Sequence, residues 1–293
     1  FLISIINNRI LMNWLIKVFF KIIINKIPLF RKLFELFGLF KLGKMDSYSY
    51  ANKIYKLHFN QYSQISNCND KVMLEMGPGD SIASAIFGYS SGFKGIYLID
   101  VGNFATNNLD FYRNIVTIMR REGVRVPNIN NAKTLDDILS SCNAKYLING
   151  LDSLKKIQSN SIDFVFSHSV IEHIRKRDFV STVSELKRIM KKGGIASHCI
   201  DYQDHLSKSL NNLRFPEKIW ESEFFANSGF YTNRIPAIEV HKCFKNNGFE
   251  IIYEDFGKWE NLPISRKFIN QKFHKFSDKE LINRTSYIKL KCK

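Results

Sequence analysis

From about residue 70, short apolar runs alternate with stretches of helical periodicity, and this alternation limits the fold more than any other feature. The strand-like runs are 71–76, 95–100, 144–149, 162–167 and 195–200. The helical stretches between them include 109–121, 135–141 and 178–190. Strands that alternate with helices form a parallel sheet covered on both faces. The sequence therefore predicts an α/β fold for most of the chain.

The size and composition of the chain fit one large α/β domain with small appendages. The 293 residues are 45% hydrophobic and 14% aromatic, enough for a substantial core. The five cysteines form neither a CxxC pair nor a Cys/His group at metal-ligand spacing. We therefore expect no disulfide framework, no structural zinc and no metal ligands, and we expect a reducing, cytoplasmic location.

The net charge of +16 lies mainly at the two ends of the chain. Residues 1–45 hold eight Lys/Arg and one acid, and residues 264–293 hold nine Lys/Arg and two acids. Residues 46–263 hold 26 bases against 24 acids. A domain that grips nucleic acid carries its positive stripe on its own surface. We therefore expect no nucleic-acid partner.

Residues 1–45 form a basic segment that precedes the domain predicted for residues 46–293. Two amphipathic stretches lie within 12–43, on either side of Pro28. Lysines interrupt each apolar run before it reaches the roughly 20 residues of a membrane span. The segment is either an anchor on the inner membrane face, which would make the protein peripheral, or a helical cap on the core. Amphipathicity alone does not choose between them.

A glycine-containing turn follows the first strand-like run. The residues of interest there are Glu75, Gly77, Pro78, Gly79, Asp80 and Ser81. The glycines permit a tight turn and close approach of the backbone to a ligand, and the next helix offers free N–H groups. Asp80 or Ser81 can cap that helix. Glu75 can orient the loop or contact the ligand.

Asp100 ends the second strand-like run, where a carboxylate can accept hydrogen bonds from both hydroxyls of a ribose. The alternative is a polar residue that starts a turn. Ligands bind at the carboxyl ends of the strands in open α/β sheets, so Asp100 and the glycine turn share one crevice. A nicotinamide dinucleotide fits poorly, because Ser81 replaces the third glycine of its fingerprint and Pro78 removes an N–H donor. A Walker phosphate loop is excluded because the turn has no Gly-Lys-Ser/Thr.

These motifs together resemble the class I S-adenosylmethionine (SAM)-dependent methyltransferases, of the type 11/12-like kind. The matching segments are 74–81 (Leu-Glu-Met-Gly-Pro-Gly-Asp-Ser), 97–100 (Tyr-Leu-Ile-Asp), 160–168, 171–174 (Ile-Glu-His-Ile) and 186–194. The resemblance covers about residues 70–255. Two departures are Lys192, where the family has proline before Gly-Gly, and Ser81, where it has glycine.

The resemblance implies a Rossmann-like, seven-stranded, mostly parallel sheet closed by a hairpin of 249–254 and 286–290. It implies SAM as cofactor, with the glycine turn and Asp100 as its principal contacts. Asp152 lies in the segment implied to contact adenine, although a one-residue shift would put Leu151 there. Ser167, at the end of the fourth strand, is also assigned to the cofactor site.

A narrower similarity, carried by 100–106 and 224–234, is to uncharacterised bacterial methyltransferases that often accompany surface-polysaccharide synthesis. It implies O-methylation of a glycan or glycolipid precursor. The alternatives are a quinone- or lipid-like small molecule as acceptor, and a catalytically silent scaffold subunit with the methyltransferase fold. The oligomeric state is not predicted.

Deprotonation of a hydroxyl acceptor needs a base at the carboxyl ends of the strands. The candidates are His168, Glu172 and His173 after the fourth strand and Asp201, Asp204 and His205 after the fifth. Each can instead be satisfied structurally, or the group can hold a divalent cation. Residues from about 205 to 235 are rich in aromatics and predict a lid over the acceptor, with ordinary packing of these rings as the alternative.

Overall fold

The structure is a computed structural model that describes Trp14, Val18 and residues 45–293. One seven-stranded sheet forms its centre, in the order β3-β2-β1-β4-β5-β7-β6. The strands are β1 Val72–Met76, β2 Gly95–Ile99, β3 Ala144–Leu147, β4 Ile162–His168, β5 Met190–Asp201, β6 Phe249–Lys258 and β7 Asn283–Cys292. The first five pair in parallel, and β7 is antiparallel to both β5 and β6. The predicted Rossmann-like fold and closing hairpin are confirmed.

Helices cover both faces of the sheet. Within residues 45–293 they are α1 Tyr48–Ser63, α2 Ala83–Ser90, α3 Leu109–Arg121, α4 Leu135–Ser141, α5 Gly150–Lys155, α6 Lys176–Ile189, α7 Glu217–Trp220, α8 Glu223–Ala226, α9 Ala237–Asn246 and α10 Asp278–Leu281. Short 3₁₀ turns are Ile171–His173, Asn211–Arg214, Arg266–Phe268 and Gln271–Phe273. The predicted helices at 109–121 and 135–141 match α3 and α4, and the third matches α6 except that Met190 begins β5.

Strand β4 shows why parallel strands read as continuous apolar runs. Phe164 and Phe166 pack in one core cluster with Tyr55 of α1, whereas Val165 packs in the other cluster with Phe244 of α9. Alternate side chains therefore meet helices on opposite faces of the sheet. This burial on both sides fixes the carboxyl end of β4 between two cores.

Local sequence determines where several helices begin. Asn108 precedes α3, and its side-chain oxygen accepts hydrogen bonds from the backbone N–H groups of Asp110 and Phe111. Thr134 and Asp137 form a reciprocal capping box at the start of α4. These capping side chains accept hydrogen bonds from N–H groups of the first turn and so fix the residue at which each helix begins.

Residues 202–236 join β5 to α9 and form a small layer of their own. Its aromatic cluster consists of Trp220, Phe230 and Tyr231 together with Trp14 and Val18. The indole N–H of Trp14 donates a 2.9 Å hydrogen bond to the Asp204 carboxylate. The side chains of Trp14 and Val18 therefore pack against protein, as the cap alternative requires. The rest of 12–43, including the predicted membrane contact, lies outside the described residues.

The segment that connects β6 to β7 in sequence contributes to a second satellite core. Residues 259–282 fold back so that Ile264, Ile269 and Phe273 pack with Leu210 and Leu213 of the 202–236 segment. This contact supports that segment from a second side. Within the residues that the structure describes, no helix is long and apolar enough to cross a membrane.

Candidate functional site: a cofactor turn beside two histidines

The turn after β1 has the left-handed backbone that its glycines predict, with φ of +69° at Gly77 and +64° at Gly79. The Gly77 N–H donates a 2.7 Å hydrogen bond to the carbonyl of Ile99 in β2. A β-carbon on Gly77 would lie 2.3 Å from Cγ2 of Val170, whereas one on Gly79 would meet no described atom within 4 Å. Gly77 is thus packed against the segment after β4, and Gly79 faces open space.

Asp100 connects the turn to the ends of two neighbouring strands. Its carboxylate accepts hydrogen bonds from the backbone N–H groups of Gly79 at 3.0 Å and Val101 at 2.8 Å. Its backbone carbonyl accepts one from Gly150, the first residue of α5. Partial burial raises the pKa of the carboxyl group, and the two N–H donors oppose that rise. Each oxygen keeps a lone pair for a further donor such as a hydroxyl.

Glu75 is a buried acid directly below the turn. Only 2% of the residue is exposed, and Oε2 has no hydrogen-bond partner among the described residues. Burial is the main reason that its pKa is raised to about 8, and the nearby Asp100 charge adds to the rise. A buried acid with an unpaired oxygen is suited to a cationic ligand group.

The other predicted cofactor residues contribute in different ways. The backbone carbonyl of Asp80 accepts a hydrogen bond from Thr106, and Pro78 is buried within the turn. The Ser81 hydroxyl donates to the backbone oxygen of Met45 at 2.7 Å. That serine is fully buried, so its side chain is directed away from the crevice and only its backbone can line it.

Two further predicted contacts also have protein partners. Ser167 Oγ lies 2.7 Å from Nδ1 of the core residue His198, and both are completely buried. Asp152, in the first turn of α5, is exposed and forms a 2.9 Å ion pair with Lys155. The assignment of the Ser167 hydroxyl to the cofactor is therefore corrected, because strand alternation points it into the core. His198 lies within β5 and is itself completely buried in the core.

The segment after β4 contributes Glu172 to a second cluster of polar side chains, which also contains His173, Asp201 and His205. Glu172 is buried in the 3₁₀ turn, and its Oε1 accepts a 3.2 Å hydrogen bond from the backbone N–H of Asp201. Its Oε2 has no hydrogen-bond partner within the described residues. Burial, together with the charge of Asp201, raises the pKa of Glu172 well above its usual range. Both effects favour the protonated form of this side chain.

His173 lies next to Glu172, and its tautomer is fixed by a backbone contact. Its Nδ1 is 2.8 Å from the carbonyl oxygen of Tyr231. A carbonyl only accepts, so Nδ1 carries the proton and Nε2 keeps a lone pair. Surrounding protein and the neighbouring His205 lower the pKa of the ring, although solvent reaches it at the crevice mouth and limits its desolvation. His173 is neutral at physiological pH and can accept a proton.

His205 completes this group from the segment after β5. Its ring centroid is 4.7 Å from that of His173, and its Nε2 is 4.0 Å from a carboxylate oxygen of Asp201. Ligand atoms of Glu172, His173 and His205 all lie within 4.8 Å of one another, a spacing that could accommodate a metal ion. The structure thus brings four of the six candidate bases, namely Glu172, His173, Asp201 and His205, to one place.

His168 and Asp204 are placed differently from that prediction. His168 Nδ1 lies 3.4 Å from Nε2 of His58 in α1, so it belongs to a different contact. Asp204 is buried, and its carboxylate accepts hydrogen bonds from Trp14, Ser207 and Asn211. We therefore correct Asp204 from a candidate base to a structural residue, because its oxygens already hold the loop together.

The aromatic residues of 202–236 pack against one another and leave few ring faces open. Trp220 and Phe230 are each 1% exposed and Tyr231 is 4% exposed. The prediction of an aromatic lid is thus wrong for these three rings, because Trp14 and neighbouring rings occupy their faces. Phe224 is 45% exposed and remains accessible.

The structure also reveals a residue that the sequence did not single out. The Asn233 side chain donates to the backbone oxygens of Ile171 and Ile174, and its N–H donates to the Glu172 carbonyl. It thereby ties the 202–236 segment to the turn that carries Glu172 and His173. Asn233 lies in the segment 224–234 that carries the narrower similarity, but only the spatial contact reveals the role of its side chain.

A comparison with protein families agrees with the predicted class. Residues 114–197, from α3 to β5, match the family model described as a methyltransferase domain. This match spans less than a third of the chain and supports a SAM-dependent methyltransferase with SAM as its cofactor, as predicted.

Solved structures with a similar fold are distant in sequence. A SAM-dependent methyltransferase from Methanosarcina mazei is 16% identical with a TM-score of 0.47, covering 79% of this chain and 96% of its own. A protein from Pyrococcus horikoshii OT3 is 12% identical with a TM-score of 0.47, covering 89% and 99%. A SAM-dependent methyltransferase from Mesorhizobium loti is 9% identical with a TM-score of 0.43, covering 79% and 95%. A sequence search of curated proteins finds no match.

Proposed function

We propose that this methyltransferase methylates a hydroxyl oxygen of a glycan or glycolipid precursor, with His173 as the general base. The observation that carries the proposal is the 2.8 Å hydrogen bond between His173 Nδ1 and the Tyr231 carbonyl. It leaves Nε2 as the proton acceptor on a ring that solvent, and therefore an acceptor molecule, can reach.

The cofactor turn fits SAM on three observations. Gly79 leaves space where a side chain would stand, Asp100 keeps lone pairs for ribose hydroxyls, and Glu75 has an unpaired buried oxygen for a cationic group. Bound SAM supplies a methyl group already activated by the sulfonium. The protein's remaining work is alignment of the acceptor and removal of its proton.

The proposed base follows a residue that packs against the glycine turn after β1. Val170 touches Gly77, and the 3₁₀ turn that carries His173 begins at the next residue. His173 Nε2 would take the hydroxyl proton as the acceptor oxygen receives the methyl group that bound SAM would supply, with the neutral thioether as leaving group. The proton would then be held on His173. Asp201 and His205 lie beside the ring and can pass that proton to solvent.

The chemistry of the crevice mouth supports a hydroxyl-rich acceptor. Asp201, His173 and His205 present carboxyl and imidazole groups there, with the buried Glu172 beneath them, whereas Trp220 and Phe230 are buried elsewhere. A cavity of about 30 Å³ beside Glu172 and Asp201 has room for one or two waters only, so a sugar would bind at the open mouth. A flat quinone would need free aromatic or aliphatic faces to pack against, and Trp220 and Phe230 do not offer them. This favours a glycan over a quinone as the acceptor.

We also propose a cytoplasmic location in which residues 12–43 contact the inner membrane face through side chains other than Trp14 and Val18. The support is the basic, amphipathic sequence of that segment. Flotation with anionic vesicles of the full chain and of a chain lacking residues 12–43 tests it. Equal flotation of the two would refute the membrane contact.

Activity is tested with labelled SAM and a panel of sugar nucleotides, glycolipids, quinones and amines. We expect transfer to a hydroxyl-bearing glycan, and a kcat lowered by about 10² to 10⁴ in His173→Ala with SAM affinity unchanged. His274→Ala is the matched control, since that histidine lies in the 259–282 satellite and bonds to the carbonyl of Ile269. Transfer to quinones or amines alone, or full activity in His173→Ala, would overturn the proposal.

A further inference from the structure

A second imidazole cluster lies on the α1 side of the sheet, formed by His58, His168 and Cys199. His168 and Cys199 are paired residues of the parallel strands β4 and β5, so their side chains are neighbours on the same face. Helix α1 packs over that face and places the completely buried His58 against both. None of these residues is close to the others in sequence.

The spacing of the three ligand atoms suits a metal ion better than a hydrogen bond. His58 Nε2 and His168 Nδ1 are 3.4 Å apart, longer than the usual 2.9–3.0 Å hydrogen bond. Two nitrogens bound tetrahedrally to zinc, with bonds of about 2.0–2.1 Å, are separated by about 3.3 Å. Together with Cys199 Sγ, the three ligand atoms lie within 4.8 Å of one another.

A chain of hydrogen bonds fixes the tautomer of His58. The Ser197 hydroxyl donates to the Tyr287 oxygen at 3.0 Å, so its only proton is already used. Ser197 must therefore accept the 2.7 Å bond from His58 Nδ1, which carries the proton. The lone pair of His58 is left on Nε2, directed toward His168. Metal-binding histidines are held in this way by an outer hydrogen-bond partner.

We propose that His58, His168 and Cys199 bind a zinc-class divalent cation, with a water molecule in the fourth position. The thiolate and two imidazoles form the mixed sulfur and nitrogen set that such cations prefer. Cys199 loses its thiol proton to solvent as the metal–sulfur bond forms. His168 also lines an open cleft of about 490 Å³ beside Lys53, Lys56 and Asn60, which gives the fourth position access to solvent. Three protein ligands and one open position are typical of a catalytic rather than a structural zinc site.

This cluster is chemically distinct from the group of Glu172, His173 and His205. That group offers a carboxyl oxygen in place of sulfur, and its His173 Nδ1 is already bonded to the Tyr231 carbonyl. Cobalt distinguishes the two groups, because only a thiolate ligand gives a sulfur-to-cobalt charge-transfer band.

The experiment uses the full chain, freed of metal by a chelator and titrated with Co²⁺ and then Zn²⁺ without SAM or acceptor. We expect one Co²⁺ per chain, a thiolate charge-transfer band with the absorption of tetrahedral cobalt, and displacement by Zn²⁺. Cys199→Ser should abolish the band and weaken binding at least about tenfold, whereas Cys243→Ser and His205→Ala should behave as the wild type. Since neither SAM nor acceptor is present, failure here is independent of the proposed reaction.

The result that overturns the site is absence of stoichiometric binding by the wild type, or cobalt binding that lacks the thiolate band and disappears in His205→Ala. Should Cys199→Ser fail to fold by circular dichroism, Ser197→Ala replaces it as the test. That change removes only the outer partner of His58 and should lower metal affinity about 10- to 100-fold. Unchanged affinity in Ser197→Ala would also count against the site.

Discussion

The two halves of the crevice at the strand ends are built in different ways. The cofactor half uses backbone N–H groups and two acids, all within residues 75–100 and the adjoining strand ends. The acceptor half uses side chains of Glu172, His173, Asp201 and His205 and the carbonyl of Tyr231, drawn from segments up to 59 residues apart. The first half depends on backbone shape and the second on side-chain identity and tertiary contact.

This difference predicts opposite sensitivities. Small changes of volume in the cofactor half should disturb both folding and SAM binding, because backbone atoms approach closely there. Conservative changes in the acceptor half should leave SAM binding intact and alter catalysis.

Asp100→Ala removes an oxygen pair that receives two backbone N–H bonds and that we propose as the acceptor for the ribose hydroxyls of SAM. We expect SAM affinity to fall about 100-fold, since hydrogen bonds to a charged group contribute about 1.5–3 kcal/mol each. Calorimetric titration with SAM measures it, with Asp201→Ala as the acceptor-half control. Equal losses in both variants would erase the distinction between the halves.

Gly77→Ala and Gly79→Ala form a matched pair, because both residues have positive φ and only Gly77 touches Val170. We expect Gly77→Ala to lower the free energy of unfolding by about 2–4 kcal/mol through steric overlap and backbone strain. Gly79→Ala should cost about 1–2 kcal/mol through strain alone but still impair SAM binding. Urea unfolding compares them, and equal destabilisation would contradict the close approach at Val170.

Glu75 should release a proton when SAM binds. Its pKa of about 8 in the free protein leaves it mostly protonated at pH 7, and a cationic ligand nearby favours the carboxylate. SAM affinity should therefore rise with pH up to about 8, and Glu75→Gln should remove this dependence and weaken binding about tenfold. Calorimetry in buffers of different ionisation enthalpy detects the proton. No buffer dependence would place the cofactor's cationic groups away from Glu75.

His173 must be neutral to act as a base, and its surroundings lower its pKa below the ordinary 6.5. Activity should fall as the pH decreases through that lowered pKa, so the acid limb of the kcat profile should have its midpoint below pH 6.5. The profile is measured at saturating SAM, and the His205→Ala variant, which removes the neighbouring imidazole, should move this limb toward higher pH. A midpoint at or above 6.5 would point to another base.

The sequence predicted those parts of the molecule that local patterns determine. Strand alternation located the sheet, and the two glycines located the left-handed turn that Asp100 holds, because each signal lies within a few residues of the chain. The assignment of this turn to SAM stays a proposal. The hydrogen bond from His173 to the Tyr231 carbonyl joins positions 58 apart, and the contact of His58 with His168 spans 110. Neither has a local signature. The prediction of an aromatic lid failed for the same reason. The ring of Trp14, which packs on the aromatic residues of 202–236, lies far away from them in the sequence.

The contact between Trp14 and Asp204 has a consequence for how the protein is made. The two residues are 190 positions apart. At a synthesis rate of about 5–20 residues per second, Trp14 leaves the ribosome about 10–40 s before its partner exists. During that interval the indole has neither its hydrogen-bond acceptor nor the Trp220 ring that later stacks on it. Trp14 is therefore synthesised long before it reaches its final environment, and a holding chaperone would find it during that time.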